Sequence, residues 1–570
     1  MGLGHHHHDH AHGHSHDFAV TGSDLPAALD LSVPDSELSP SDTSRRTFLR
    51  GAGLLGAGAA VGGLVGAPAF AEGGDRVETS AAAYNQHEGA AGDLVWLAGD
   101  HHIHTQHSSD AQYRVIDHVK HAHAYGLGWM VITDHGSVAH AKIGVEKVNP
   151  DIRAARDQVD DILVFQGLEW NIPAAEHGTV FVHPGRNEVA VLKEFENAFD
   201  GVVTNTTGST SANEALAIAG LNFLNDAVTK KRVQDAMFFA NHPARKGIDS
   251  PHEIRGWRDA APRVALGFEG APGHQAAGIA APLGPGSGRG YYDNSPSSAS
   301  FPGYPLESYR TWGGFDWMTS TVGGLWDSLL AEGKPWWITA NSDSHSVYGD
   351  TVVNGGGDFA ANGRYDDPVY KGPAILTNGD FWPGYYSRTH VGATRPSYAA
   401  VMAGLRAGRV WVDHGGLIDG IDVRVGTATL GGTYAVRTGH DVQVKIKIKL
   451  ASGSNWAQFV PKLARVDLIA GEITGPAADK DVFSTPKTKV VKSFDVSSST
   501  GTVTLTYTFP DVEKPFYLRL RGTDGKRTAV GLNGATVDPV GPAMDVVGAA
   551  DPWQDLWFYT NPIFVLPLGR

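Results

Sequence analysis

Seven short apolar runs, spaced by polar stretches of helical periodicity, constrain the fold of this 570-residue chain more than any other feature. They are Leu94–Leu97, Trp129–Thr133, Ile162–Phe165, Thr179–Val182, Met237–Ala240, Val264–Phe268 and Trp336–Thr339. Runs this short and continuously apolar read as strands covered on both faces. Between the first two, Ala111–Tyr125 sets Val115, Ile116, Val119 and Ala122 at helical spacing. Strand–helix–strand repetition of this kind predicts a parallel β/α arrangement. Val202–Thr210 and Gly284–Pro305, rich in Gly, Ser, Thr and Pro, are expected as loops over its open end.

After Gly416 the pattern changes. Val442–Leu450 alternates strictly, with Val442, Val444, Ile446, Ile448 and Leu450 on one face and Gln443 and three lysines on the other. That is a half-buried antiparallel strand. Val466–Ile469, Thr502–Phe509 and Phe516–Leu520 continue in the same style, so a small β-sandwich-like C-terminal domain is expected over 416–570.

Composition narrows the chemistry. The chain has no cysteine, which excludes disulfides, thiolate zinc sites, iron–sulfur clusters and a cysteine nucleophile together. Lys+Arg 46 against Asp+Glu 61 gives −15, so no stable nucleic-acid binding is expected. The 27 histidines are the opposite anomaly. Eight fall in Met1–Asp17, within a His-rich extension (1–43) that reads either as a weak metal buffer or as an incidental tail.

Residues 44–71 resemble a twin-arginine export signal. Arg45 and Arg46 lead a glycine-rich, weakly apolar segment ending in Ala69-Phe70-Ala71, a small-x-small cleavage site. The resemblance implies the twin-arginine export machinery as a partner, cleavage after Ala71 and a secreted or extracytoplasmic product. So much glycine suits a stable membrane span poorly, so no anchor is expected after cleavage.

The remaining histidines cluster just beyond the apolar runs, beside carboxylates. Asp100-His101-His102-Ile103-His104 follows the first, with Asp110 six residues on. If the extended conformation persists, His102 and His104 point to one side and can clamp one ion. Thr133-Asp134-His135 ends the second run and Gly167-Leu168-Glu169 the third. His177 precedes the fourth, Asn241-His242-Pro243 ends the fifth, and Ser342-Asp343-Ser344-His345 follows the last. Any one histidine taken alone reads as an ordinary core or surface residue. Nine N and O donors at successive strand ends differ, because burying them together is costly without cations to pair them.

The order HxH, TDH, GxE, NHP, SDxH resembles the PHP (polymerase and histidinol phosphatase) metal-dependent hydrolases. The resemblance runs from about Leu94 to His345, more weakly to about Asp413, so a domain over 72–415 is expected. It implies an α/β fold, a distorted (β/α)7 barrel, with a multinuclear centre of two or three divalent ions (Zn, Mn or Fe). Carried over by position, His102, His104, Glu169 and Asp343 would hold one ion. Glu169, bridging, with His177 and His242 would hold a second, and Asp110, His135 and His345 a third. Many members have histidine where Asp110 stands. His183 competes with His177, which is preferred because the family ligand usually leads into an apolar strand. His101, His107 and His118 match no ligand position, and His118, His121 and His123 are expected on a helix surface.

The implied activity is phosphoester hydrolysis of a small molecule, a phosphomonoester or phosphodiester. Ions ~3.5–4 Å apart share a hydroxide and neutralise the oxygens of an attacked ester. Glu169, His135 and Arg245 are the candidate catalytic side chains. Arg245 and Lys246 either add positive charge for the substrate or are ordinary surface charge. Trp326–Gly333, Leu405–Val412 and Trp557–Ile563 resemble a stand-alone subgroup, some of whose relatives hydrolyse carbamate or carboxylic esters. The aromatic stretch Tyr291–Trp317 is then either an apolar leaving-group wall or a packed loop. No GxSxG elbow and no Walker loop occur. A catalytically silent exported metal-binding protein is the alternative outside enzymes.

Overall fold

In the computed structural model the described residues are 94–292, 295–525 and 551–569. The His-rich tract and the export-signal segment lie outside them. Among the described residues no helix is long and apolar enough to cross a membrane.

The seven apolar runs all form strands: β1 (Val95–Asp100), β2 (Trp129–Ile132), β3 (Leu163–Asn171), β4 (His177–Val182), β5 (Ala236–Ala240), β6 (Ala265–Ala271) and β7 (Trp337–Ala340). They are neighbours in one sheet in that order. β1–β2–β3 and β5–β6–β7 pair in parallel, but β4 runs antiparallel to both β3 and β5. The all-parallel expectation fails there for a reason visible in the connection. Only Ile172–Glu176 joins β3 to β4, closed by Ile172 N–H donating to Glu176 O (3.0 Å) with Ala174 at φ +70°. A parallel return needs a crossover of a dozen residues or more, so five residues force a hairpin.

This reversal decides which end of β4 faces the site. With β3 and β5 pointing their carboxyl ends one way, β4 presents its amino end, and His177 leads the strand. The two outer strands meet through the turns that follow them: Ile103 bridges Ser344, and His104 N–H donates to Ser344 O (3.1 Å).

The helix in the first crossover, α1 (Val115–Ala124), starts four residues later than its periodicity predicts. Residues 111–114 turn back instead, with Gln106 N–H on Tyr113 O (2.7 Å). Its buried face is Val115, His118, Val119 and Ala122. His118 is therefore not a surface residue: it lies three after Val115 and four before Ala122, on the row that packs inward. Burial pushes its imidazole down to about 3. His121 and His123 are only partly exposed; His121 stacks on Trp382 at 3.7 Å.

Two antiparallel strands, β8 (Ser387–Ala393) and β9 (Val410–His414), extend the sheet beyond β1. Past Gly416, β10 (Ile418–Val425), β11 (His440–Leu450) and β12 (Thr502–Val512) form a separate three-stranded sheet. In β11 the predicted alternation is realised, with Val442, Val444, Ile446, Ile448 and Leu450 all buried. They share one apolar core with Val466, Leu468, Leu518, Leu520, Phe558 and Ile563 on the facing strands. Those facing strands are not detached from the main sheet, because Trp557–Thr560 pairs with β9. A buried pair also ties this region to the helix before β7. Arg519 donates to Asp327 through Nε (2.8 Å) and Nη2 (2.7 Å).

Candidate metal centre

The turns after β1, β2, β5 and β7, with the last residues of β3 and the amino end of β4, bring all nine expected donors to one place. Glu169, at the end of β3, is its hub. Oε1 lies 3.0 Å from His102 Nε2, 3.2 Å from His177 Nδ1 and 3.3 Å from His242 Nε2. Oε2 lies 2.8 Å from His135 Nδ1 and 3.4 Å from His104 Nε2. One carboxylate thus faces five imidazoles.

Asp343 Oδ1 lies 3.1 Å from His102 Nε2 and 3.2 Å from His104 Nε2, which closes the first expected group. Asp110 sits at the outer edge, 3.2 Å from His135 Nε2 and 3.6 Å from His345 Nε2, which closes the third. His177 and His242 meet Glu169 as described and also cluster with Glu176. His183 is elsewhere: its backbone N–H bonds Asp235 O just before β5, at the opposite end of the strands. His101 points away from His102, as strand alternation requires, to Thr339 Oγ1 (2.8 Å) and Thr179 Oγ1 (3.2 Å).

Several buried atoms in this cluster make no hydrogen bond, among them His104 Nε2, His177 Nδ1 and Asp343 Oδ1. Buried polar atoms are normally partnered. Orphans aimed at one another fit a divalent cation, and N/O donors without thiolate suit zinc, manganese or iron. Backbone strain gathers here as well. Of the nine described non-glycine residues at positive φ, His242, His274, Tyr291 and Asp343 line this cavity. Such conformations persist where the surrounding structure over-determines them.

The electrostatics follow from the crowding. Burial opposes charge on Glu169, but His102, His177 and His135 outweigh it and hold the carboxyl well below its usual range. Burial likewise opposes protonation of His102, and Asp343, Glu169 and Glu269 overcome it, raising its imidazole. Burial, then the Arg245 guanidinium, pushes His242 down to about 3. A divalent ion held here would take these imidazoles in their neutral form, since only the neutral ring ligates.

Four residues absent from the sequence expectation support the ligands. Glu269 Oε1 is 2.8 Å from His102 Nδ1, leaving Nε2 for the centre. Glu176 Oε2 is 3.4 Å from His242 Nδ1. His274 reaches Asp343, and Asp380 reaches His274. Carboxylates behind ligating histidines fix their tautomer and aim. Glu269 and His274 follow the apolar run Val264–Phe268, so the strand-end rule that found the other donors extends to them. Glu176 sits in the short hairpin, and Asp380 follows no apolar run, so neither carried such a signal.

The centre opens into a cavity of about 360 Å³ bordered also by Arg245, Tyr291, Thr377 and Asn378. Arg245 is half-buried beside the site, with its Nε making no hydrogen bond. Its Nη2 lies 3.2 Å from Glu176 Oε2, and Lys246 Nζ, half exposed, lies 2.8 Å from Glu176 Oε1. Of the aromatic stretch, Tyr291 borders the cavity, whereas Trp312 and Phe315 are packed in the core.

Residues 100–238 match the PHP domain family model. No curated protein matches the chain. A solved two-domain protein from Bacteroides vulgatus, described as containing a predicted PHP-like metal-dependent phosphoesterase, is 14% identical. The similarity covers 80% of this chain and 96% of that one, with a TM-score of 0.30. A glycosyl hydrolase family 2 member from Bacteroides cellulosilyticus is 9% identical over 74% of this chain and 59% of its own, with a TM-score of 0.13. At these TM-scores neither bears on what this chain does. The stretch that matches the PHP domain model, residues 100–238, holds six of the nine expected donors; His242, Asp343 and His345 reach the same centre from beyond it.

Proposed function

We propose that this chain is a metal-dependent hydrolase that cleaves phosphoesters of small molecules, built on a distorted (β/α)7 barrel with a β-rich C-terminal domain. The observation that carries the reading is Glu169, a buried carboxylate within 3.4 Å of five imidazoles, two of which, His104 and His177, turn an unpartnered nitrogen towards it. His102, His104, Glu169 and Asp343 would hold one divalent ion, and Glu169, His177 and His242 a second. Asp110, His135 and His345 would hold a third. Bound there, divalent ions supply Lewis acidity and a nucleophilic water at neutral pH.

The chain's own residues do the rest. Glu269 holds His102 in the orientation that aims its Nε2 inward, and Glu176 places its charge behind His242. Arg245, bordering the cavity, orients an anionic substrate by its guanidinium. Tyr291 and the Thr377–Asn378 lip narrow the entrance and limit the water around the ester.

One observation favours a second reading, an aryl carbamate or carboxylic ester as substrate. Glu176 pairs with both Arg245 and Lys246 and so offsets part of the charge a phosphate would need. The test compares hydrolysis of an aryl phosphate, an aryl phosphodiester and an aryl carbamate by Zn-, Mn- and Fe-loaded protein, with and without chelator. Chelator-sensitive turnover of either phosphate supports the proposal, and turnover of the carbamate alone selects the second reading. No turnover under any loading leaves a silent metal-binding protein and overturns both. The twin-arginine segment adds a proposal of export from the cytoplasm.

A further inference from the structure

Asp343 spends only one of its oxygens on the cluster. Oδ1 faces His102 and His104 and makes no hydrogen bond, while Oδ2 lies 2.8 Å from His274 Nε2. The other nitrogen of His274, Nδ1, lies 2.5 Å from Asp380 Oδ1. The second oxygen of Asp380 accepts two backbone N–H groups, from His345 (2.6 Å) and Ser346 (2.7 Å). One buried carboxylate is thus connected to two of the three expected ion positions, by a side chain to Asp343 and by the backbone to His345.

The surrounding fold is shaped to make these contacts. His274 sits at φ +53°, with its N–H on Ser342 O (3.2 Å). Gly273 lets the loop approach that closely: a Cβ there would lie 2.2 Å from both Ser342 O and Asp343 Cβ. Asp343 itself is held at φ +47°.

The geometry points to Asp380 and His274 as a positioning relay that sets two ion sites at once. His274 occupies Oδ2 of Asp343 so that Oδ1 alone is presented to the ion shared with His102 and His104. Asp380 orients His274 and pins the backbone that carries His345 to the ion shared with Asp110 and His135. The ion expected at His177 and His242 has no part in the relay. This rests on the metal reading above, and it predicts an uneven loss that general loosening would not produce.

The test is the release of bound Zn²⁺ from the full chain into excess chromogenic chelator, with the fold of each variant checked by near-UV circular dichroism. His274→Ala should release one equivalent at least ~10-fold faster than the parent, and Asp380→Ala two equivalents, the scale at which such outer partners act on metal affinity. His274→Gln, whose amide N–H can still donate to Asp343, should stay within about 3-fold of the parent. Parent-like release from folded His274→Ala overturns the relay, as does equal acceleration of every equivalent. A His274→Gln variant as fast as His274→Ala removes the hydrogen bond as its basis. If Asp380→Ala does not fold, the two His274 variants decide the question. A parent that binds no Zn²⁺ sinks the metal reading itself, an outcome distinct from a parent that binds and variants that match it.

Discussion

Replacing Glu169 by Gln keeps the shape of the hub and removes its charge, and the hydrogen-bond pattern fixes which oxygen is lost. Asn241 Nδ2 donates to Oε1 at 2.9 Å, so the Gln carbonyl must take that side. The new NH2 group then replaces Oε2, between His135 Nδ1 (2.8 Å) and His104 Nε2 (3.4 Å). It turns an acceptor into a donor where a cation is expected. Unit charges 4 Å apart at an effective dielectric of about 20 interact by about 4 kcal/mol, which bounds the loss near ~1,000-fold in affinity. The lower bound comes from outer-partner changes, which already cost about 10–100-fold. We therefore expect Glu169→Gln to lower chelator-sensitive turnover by at least ~10–100-fold, with the metal deficit on the His104 and His135 side. Inductively coupled plasma mass spectrometry and steady-state kinetics on the same preparation measure both. Near-normal activity with full metal content would refute the bridging role.

Three further outcomes are expected. Asp110 is a harder, anionic donor than imidazole, so added Mn²⁺ should lower KM for a phosphate ester in the parent, and Asp110→His should shift the preference towards Zn²⁺; a variant matching the parent with both metals removes Asp110 from the third site. Arg519→Met strands the Asp327 carboxylate in the core beside Trp326 and should destabilise by about 3–5 kcal/mol in urea unfolding; a loss under about 1 kcal/mol contradicts a buried pair. Burial opposes the charge on His140, but Glu196, 2.9 Å away, raises its imidazole above the usual value. A raised folded value means that the pair's stabilisation is complete below about pH 6.5 and is lost as pH rises through the higher value. The stability gap between parent and Glu196→Gln should therefore shrink from pH 6 to alkaline pH, and a gap that widens contradicts the pairing.

What the sequence revealed and what it concealed divide along a physical line. Strands buried on both faces announce themselves as continuous apolar runs, and donors placed at their ends stand out because burial would otherwise forbid them. Hence all seven strands were legible, and so was the convergence of the nine expected side chains on one place. Strand direction was not, because direction lives in the connections. The five residues Ile172–Glu176 hold the information that β4 reverses, and an apolar run reads the same in either sense. His118 was misplaced because its helix face is set by the neighbours Val115 and Ala122 rather than by its own polarity. Glu176 and Asp380 were invisible because one sits in the short hairpin and the other follows no apolar run; they are recognised only by where their oxygens point. Asp327 lies in the subgroup-like segment Trp326–Gly333, yet its carboxylate serves Arg519 and Tyr517 rather than the centre. A motif's resemblance locates such a residue without saying which core it braces.

The central claim is that Glu169 bridges divalent ions held by these nine donors. Anomalous difference maps from crystals of metal-loaded protein, collected on both sides of the metal's absorption edge, test it most directly. The account predicts at least two peaks within coordination distance of Glu169, one beside His102, His104 and Asp343 and one beside His177 and His242. Peaks confined to other parts of the chain, or a single peak not touching Glu169, would contradict it.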